Sequence, residues 1–186
     1  MASKHTWITV WIIVSSILVA WDAGYCFMRP RSFHGGDLHW IWKPYSLYQN
    51  IDLVYGVEAH RRGDGFTNAQ SLLNVFEVIA NLTYLFKTHI SPDPVAPVIG
   101  LSAAIATFSK TVLYWAQEYY CNYCAVGHNE PWTLFIMWMV PNGAWLVFPG
   151  MIIWTLYKDI ASSLRLTGAP ARSVHTNGTK LNGKSH

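Results

Sequence analysis

WTLFIMWMVPNGAWLVFPGMIIWTLY, running from Trp132 to Tyr157, holds no charged residue and two prolines, Pro141 and Pro149. A bilayer core about 30 Å thick takes about 20 consecutive apolar residues of helix to cross. The stretch therefore predicts a membrane span, kinked where the prolines remove backbone donors. Working back along the chain, a second run from Val95 to Gln117 follows Pro94, carries Pro97 near its start, where a helix tolerates proline, and holds Lys110. A third, Phe66 to Phe86, is interrupted by Asn74, Glu77 and Asn81. The first in the chain, Trp7 to Met28, is uncharged until Asp22. A cleaved secretory signal would share its basic start at Lys4, but Trp21 and Asp22 after Ala20 make a poor small-residue cleavage site.

Composition agrees with spans at residues 7–28, 66–86, 95–117 and 132–157. Of the 186 residues 52% are hydrophobic and 12% charged, against about 25% charged in soluble domains. Mean hydropathy is +0.18 in spite of a polar C-terminal stretch. A soluble monomer is thereby excluded. The net charge of +3 is too small and too scattered to suggest nucleic acid, and none is expected as a partner. The expected fold is an all-α membrane bundle of four, or five, transmembrane helices in one domain, residues 1–160. From residue 161 Ser, Gly, Thr and Asn rise and periodicity ends, so residues 161–186 read as a flexible polar cytoplasmic tail.

Lysine and arginine bias in the flanks orients the bundle. Lys4, Lys87, Lys158, Arg165, Arg172, Lys180 and Lys184 fall on one side, while Tyr119 to Glu130 has none, which favours cytoplasmic termini. The long first connection, Arg29 to Gly65, mixes five basic residues with acids and weighs less. Its Trp40, Trp42, Tyr45, Tyr48 and Tyr55 suit an interface, so a structured luminal cap is expected rather than a linker. A glycan on the sequon Asn177-Gly-Thr179 would reverse the orientation.

Polar groups at bilayer depth are expensive and turn inward. In the Phe66–Phe86 run Gln70, Asn74, Glu77, Asn81 and Tyr84 are spaced four, three, four and three, one helical stripe. Thr107, Lys110, Tyr114 and Gln117 make another, as do Trp138, Asn142, Trp145 and Pro149, and Trp11, Ser15, Leu18 and Asp22. Four such stripes bury together only around a shared cavity or a dense hydrogen-bond network. A buried carboxyl can exchange a proton, a desolvated lysine can act as base, and indole faces stabilise cations. Glu77, Asp22 and Lys110 are thus the catalytic candidates. Asn142, Trp145, Trp138, Tyr114, Asn74, Asn81 and Gln117 are the candidates for holding substrate. The alternative is a structural Glu77–Lys110 ion pair with amides as interhelical glue. Cys121-Asn-Tyr-Cys124 with His128 has the spacing of part of a zinc site but lacks a fourth ligand, so no metal is expected. A luminal disulfide, with Cys26 as a further participant, fits better. Asn81-Leu-Thr83 is a sequon inside a span, and the glycines at His34 to Asp37 and Gly63 to Gly65 are turns. No organic cofactor is implied.

Pro141-Asn-Gly-Ala-Trp-Leu-Val-Phe-Pro-Gly150 closely resembles the signature of the emopamil-binding protein family, the EXPERA domain, whose founding enzyme is a sterol Δ8-Δ7 isomerase. Val112 to Trp115 with Glu118, Glu130-Pro131, and Gly63-Asp64 followed by Phe66, Thr67 and Glu77 are similar to other parts of that pattern. The resemblance covers about residues 52–158, with a weaker match in the first span. It implies that Glu77 takes part in proton transfer, that Asn142 orients polar groups and that Trp145 stabilises a cationic intermediate. It also implies residence in the endoplasmic reticulum membrane. Two departures stand out. Leu18 and Asp22 occupy the places of a His and a Glu in the family's first helix, and Ala80 that of a Thr after Glu77. These point away from Δ8-Δ7 isomerisation itself and toward a related proton-transfer or carbocation reaction. The expected function is a cofactor-independent isomerase or cyclase acting on a sterol-like or terpenoid lipid. The alternative is a non-catalytic sterol-binding receptor or trafficking protein. The partners are that hydrophobic substrate and membrane lipid, with a homodimer allowed.

Overall fold

The computed structural model describes residues 5–168 of the chain, with side chains to Leu166. The described residues are helical, without a strand. Helix α1 spans Thr6–Phe27. The first connection folds into a 3₁₀ turn His39–Trp42, α2 Tyr45–Ile51, a second 3₁₀ turn Leu53–Tyr55, and α3 Val57–Arg61. Helix α4, Phe66–Leu85, ends in a π-helical turn, Phe86–Ile90. Helix α5 is Ala96–Tyr120. The last helix runs without a break through α6, Pro131–Leu134, a π-helical turn, Phe135–Met139, and α7, Val140–Gly168.

Three of these are long and apolar enough to cross a membrane: Thr6–Phe27, Ala96–Tyr120 and Pro131–Leu166. They mark the chain as membrane-embedded. Helix α4 falls short of that hydropathy because its polar stripe lowers the mean, yet the stripe faces inward. Asn74, Glu77, Asn81 and Tyr84 are buried while Leu72, Phe76, Ile79 and Leu82 are exposed.

The long helices pack as an open arc, α1 on α4, α4 on α5 and α5 on α7. Close approach at the α5 seam needs small residues. Ala96, Gly100, Ala103, Ala104 and Thr107 are buried along α5. A Cβ on Gly100 would lie 2.7 Å from a ring carbon of Tyr84 and 2.9 Å from Leu156. At the start of α1 the two ends of the arc meet. His5 Nε2 pairs with Asp159 Oδ2 at 2.8 Å, and Trp11 stacks on Phe148 with centroids 4.1 Å apart. Ile8, Ile12, Tyr84, Ile152 and Leu156 fill this closed end.

At the other end the folded connection sits between the helices. Trp21 Nε1 donates to Ile41 O at 3.1 Å, Trp42 Nε1 returns a bond to Trp21 O at 2.7 Å, and the Tyr25 and Tyr45 rings stack at 3.8 Å. Arg29 is buried and ties the connection to α4, donating to Thr67 Oγ1 at 2.6 Å and Asn68 Oδ1 at 2.7 Å.

One boundary differs from expectation. Helix α7 continues through residues 161–168, a stretch expected to be flexible tail. Ala161, Leu164, Arg165 and Leu166 are good helix formers, and the Ser162 and Ser163 hydroxyls donate back to Asp159 O at 2.9 Å. The remaining tail, with Asn177 and its sequon, lies outside the described residues, as does Lys4. Of the two prolines where kinks are expected, Pro141 directly follows the π-helical turn Phe135–Met139 and Pro149 lies inside the continuous helix α7.

Candidate functional site

Where the arc opens there is a cavity of about 800 Å³ between α1, α2, the start of α4, the end of α5 and the α6–α7 helix. Its lining includes exposed apolar residues, Leu18, Leu47 and Ile136, and exposed residues of the first connection, His34, Lys43 and Pro44, so it is open both between α1 and the α6–α7 helix and beside the connection.

Asp22 comes from the last turns of α1 and accepts hydrogen bonds from Tyr45 Oη, from Tyr55 Oη at 3.4 Å and from Asn74 Nδ2 at 3.4 Å. The Asn74 carbonyl oxygen accepts from Lys110 Nζ, and that same Nζ lies 2.6 Å from Glu77 Oε2. One chain of contacts therefore runs from Tyr45 and Tyr55 through Asp22, Asn74 and Lys110 to Glu77. Each link is set by helix register: Asn74 and Glu77 are three residues apart on α4, and Lys110 sits opposite both on α5. Gln70, one turn earlier, donates Nε2 to Lys110 O at 3.3 Å.

A second acid lies in the connection. Asp52 is 1% exposed. It accepts from Tyr114 Oη, from Trp138 Nε1 at 2.8 Å and from its own turn through Val54 N at 3.3 Å. Burial pushes its carboxyl up to about 6, against the pull of the Tyr114 and Trp138 donors. The Tyr114 ring is held between Phe66 and Trp138, each 5.8 Å away centroid to centroid. Burial, with Asp52 and Asp22 nearby, also raises the Tyr48 hydroxyl, so it stays protonated.

Of the residues singled out from sequence, Asp22, Lys110, Asn142, Trp145, Tyr114 and Asn74 line the cavity. Asn142 Nδ2 donates to Trp138 O at 2.8 Å, and Trp145 meets the edge of Trp11 at 5.3 Å. Glu77 and Asn81 are buried but sit deeper, beside a crevice of about 10 Å³ next to Ser15 and Thr107. Asn81 there donates to Ser16 Oγ at 3.2 Å. Glu77 thus faces the bundle interior and touches the cavity only through Lys110. Trp138 is buried outside the lining, against Tyr114, Trp115 and Asp52. Gln117 is one turn beyond Tyr114 and outside the lining too.

The structure adds Tyr45, Tyr48, Asp52 and Tyr55: the first two lie on α2, and Asp52 is extended between α2 and the 3₁₀ turn that carries Tyr55, so no single helix aligns them. Cys121 and Cys124 are joined to each other, and Cys26 is a buried free thiol, so Cys26 takes no part in the disulfide. Glu118 and the two sulfurs lie within 4.8 Å of one another, but the sulfurs are bonded together and Glu118 Oε2 accepts from Ala125 N at 3.2 Å. The disulfide loop braces the cavity wall: Leu53 N donates to Ala125 O at 3.2 Å, and Asn129 Nδ2 to Ile51 O at 2.7 Å.

No protein-family model matches the chain, and no curated protein matches it.

Proposed function

We propose that the chain is a four-span membrane isomerase or cyclase of the emopamil-binding type, acting on a sterol-like or terpenoid lipid in the endoplasmic reticulum. Both termini are cytoplasmic in this proposal, and the folded connection is the luminal cap. The fourth span is α4, whose apolar outward face of Leu72, Phe76, Ile79 and Leu82 suits lipid as well as those of the other three.

One observation carries the proposal: a carboxyl, Asp22, set in the wall of a cavity that opens sideways and is otherwise lined largely by rings and aliphatic groups. About 800 Å³ is within the range of roughly 300–1,000 Å³ typical of small-molecule sites. An apolar guest would enter from lipid past Leu18, Leu47 and Ile136, and water past His34 and Lys43. Asp22 in its protonated form gives its proton to one carbon of a double bond, and the positive charge forms on the other. Trp145 and the tyrosine rings present π faces to that charge, each such contact contributing about 0.5–2 kcal/mol. The carboxylate left behind is stabilised by the Tyr45 and Tyr55 hydroxyls and Asn74, which already point at it. Loss of a proton from a neighbouring carbon completes a double-bond shift. Attack by a second double bond before that loss closes a ring.

Lys110 and Glu77 serve this chemistry by position. Their pairing neutralises two buried charges, and Lys110 holds the Asn74 amide so that its nitrogen faces Asp22. The second reading, a sterol receptor, gains from the same pairing, because a lysine committed to Glu77 and Asn74 is not a free base.

Turnover of sterol and terpenoid precursors by the purified protein in deuterated water separates the two. Deuterium appearing in an isomerised or cyclised product, and lost with Asp22→Asn, supports the enzyme. Binding across the panel with neither conversion nor incorporation supports the receptor.

A further inference from the structure

The proposed reaction needs a group to take the second proton. Of the polar lining, His34 and Lys43 are exposed, His39 has its ring nitrogens engaged by Ser32 O and Ser46 Oγ, Tyr45 and Tyr55 donate to Asp22, and no hydrogen bond joins Tyr48 to a carboxylate among the described residues. Three further candidates line the cavity. Asp22 has just become the carboxylate opposite the cation, and its oxygens already accept from two hydroxyls and an amide. Lys110 Nζ is engaged by Glu77 and Asn74. Tyr114 differs. Its ring lines the cavity, clamped between Phe66 and Trp138, and its hydroxyl is already aimed at Asp52, a carboxylate outside the cavity with no basic side chain bonded to it. Asp22 and Tyr114 also arrive from helices on the two flanks of α4, α1 and α5.

Resting on the isomerase reading, we propose that Tyr114, backed by Asp52, is the proton acceptor that ends the reaction. The C–H bond next to the cation breaks and its electron pair becomes the new double bond. Its proton passes to Tyr114 Oη while the tyrosine's own proton moves to Asp52. Each turnover carries one proton from Asp22 to Asp52, and water entering the emptied cavity returns it, so no other reactant is consumed. Tyr114 is the catalytic residue, and Asp52 positions it and stores the proton. Trp138 Nε1 and Val54 N hold Asp52 in place for this task.

The test compares wild type, Tyr114→Phe and Asp52→Asn on whichever substrate of the panel is converted, with the saturated analogue of that substrate as a binding probe. Both variants should bind the analogue within about threefold of wild type and lose about 10²–10⁴-fold in kcat, the usual worth of a general base. In deuterated water they should return unconverted substrate carrying deuterium at the protonated carbon, because the cation then reverts through Asp22. The acid side of the wild-type kcat profile should fall below about pH 6, where Asp52 carries its own proton, and that limb should vanish in Asp52→Asn. The groups facing Asp52 are Tyr48 from α2, Tyr114 and Glu118 from α5, and Trp138. Should Asp52→Asn fail to fold, Tyr114→Phe decides alone, since it removes one oxygen. Wild-type conversion matched by both variants, with the acid limb unchanged, overturns the inference and leaves the isomerase standing. No conversion by wild type overturns both.

Discussion

Replacing Lys110 with methionine keeps much of the side chain's volume and deletes the charge. The ammonium sits 2.6 Å from Glu77 Oε2, with the two side chains 12% and 3% exposed. Without it Glu77 is left as an unpaired carboxylate between helices, and the Asn74 carbonyl oxygen loses its donor. Breaking a buried pair in this way costs about 3–5 kcal/mol. For a domain of this size that lowers the melting temperature by roughly 6–20 °C. The assay is a thermal melt in detergent micelles followed by the fluorescence of the chain's 10 tryptophans. The double variant Lys110→Met, Glu77→Met separates charge from shape. It removes both ions, leaves only the Asn74 acceptor short of a partner, and should regain at least half of the loss. A single variant that melts with wild type, or a double variant no better than the single, would refute the ion-pair account. Activity reads the other half of the reasoning: turnover by Lys110→Met equal to wild type would show that holding Asn74 toward Asp22 has no chemical value.

Asp52 makes stability depend on pH with a definite sign. Its folded value of about 6 lies above the ordinary 3.8, so the folded chain binds the extra proton and its stability falls as pH rises from about 4 to about 6. Asp52→Asn should flatten that limb, by roughly 3 kcal/mol at most, as read from denaturation at a series of pH values; an unchanged slope would mean the carboxyl is not desolvated. Gly100→Ala should cost about 1–3 kcal/mol by overpacking, since its Cβ meets the Tyr84 ring and Leu156. Gly143→Ala, whose Cβ would meet nothing within 4 Å apart from its own stretch of helix, should be neutral or gain up to about 1 kcal/mol from helix propensity. Equal melting of the two glycine variants would argue against the tight α4–α5–α7 seam.

Apolar runs placed the long helices within a few residues, apart from the last, whose polar final turns are held by local backbone bonds that hydropathy does not register. Stripe spacing correctly put Asn74, Glu77 and Asn81 on the buried face of α4. It could not say how deep along that face the cavity reaches, because depth depends on where α1 and α7 part. Trp11 and Phe148 stack where those helices meet, and they lie far apart in sequence. Hence Gln70 and Asn74 meet the cavity while Glu77 and Asn81 lie beneath it. Trp138 lies within the π turn Phe135–Met139 and donates its indole N–H to Asp52, outside the cavity lining that Asn142 and Trp145 share. Asp52 itself is extended between two short helical pieces, where no helical periodicity exists to point to it.

The wedge between α1 and α7, pinned by His5 and Asp159 and spread near Leu18, has a bearing on regiochemistry. A long molecule sliding in from the side would bring to Asp22 only the portion lying level with α2, while the rest of its length stays parallel to the acyl chains. Immersion depth would then choose the carbon that is attacked, much as a ruler held against a shelf marks one height on every book. On the proposed reaction, moving the double bond along a substrate's length should silence it, even where the pocket has room to spare.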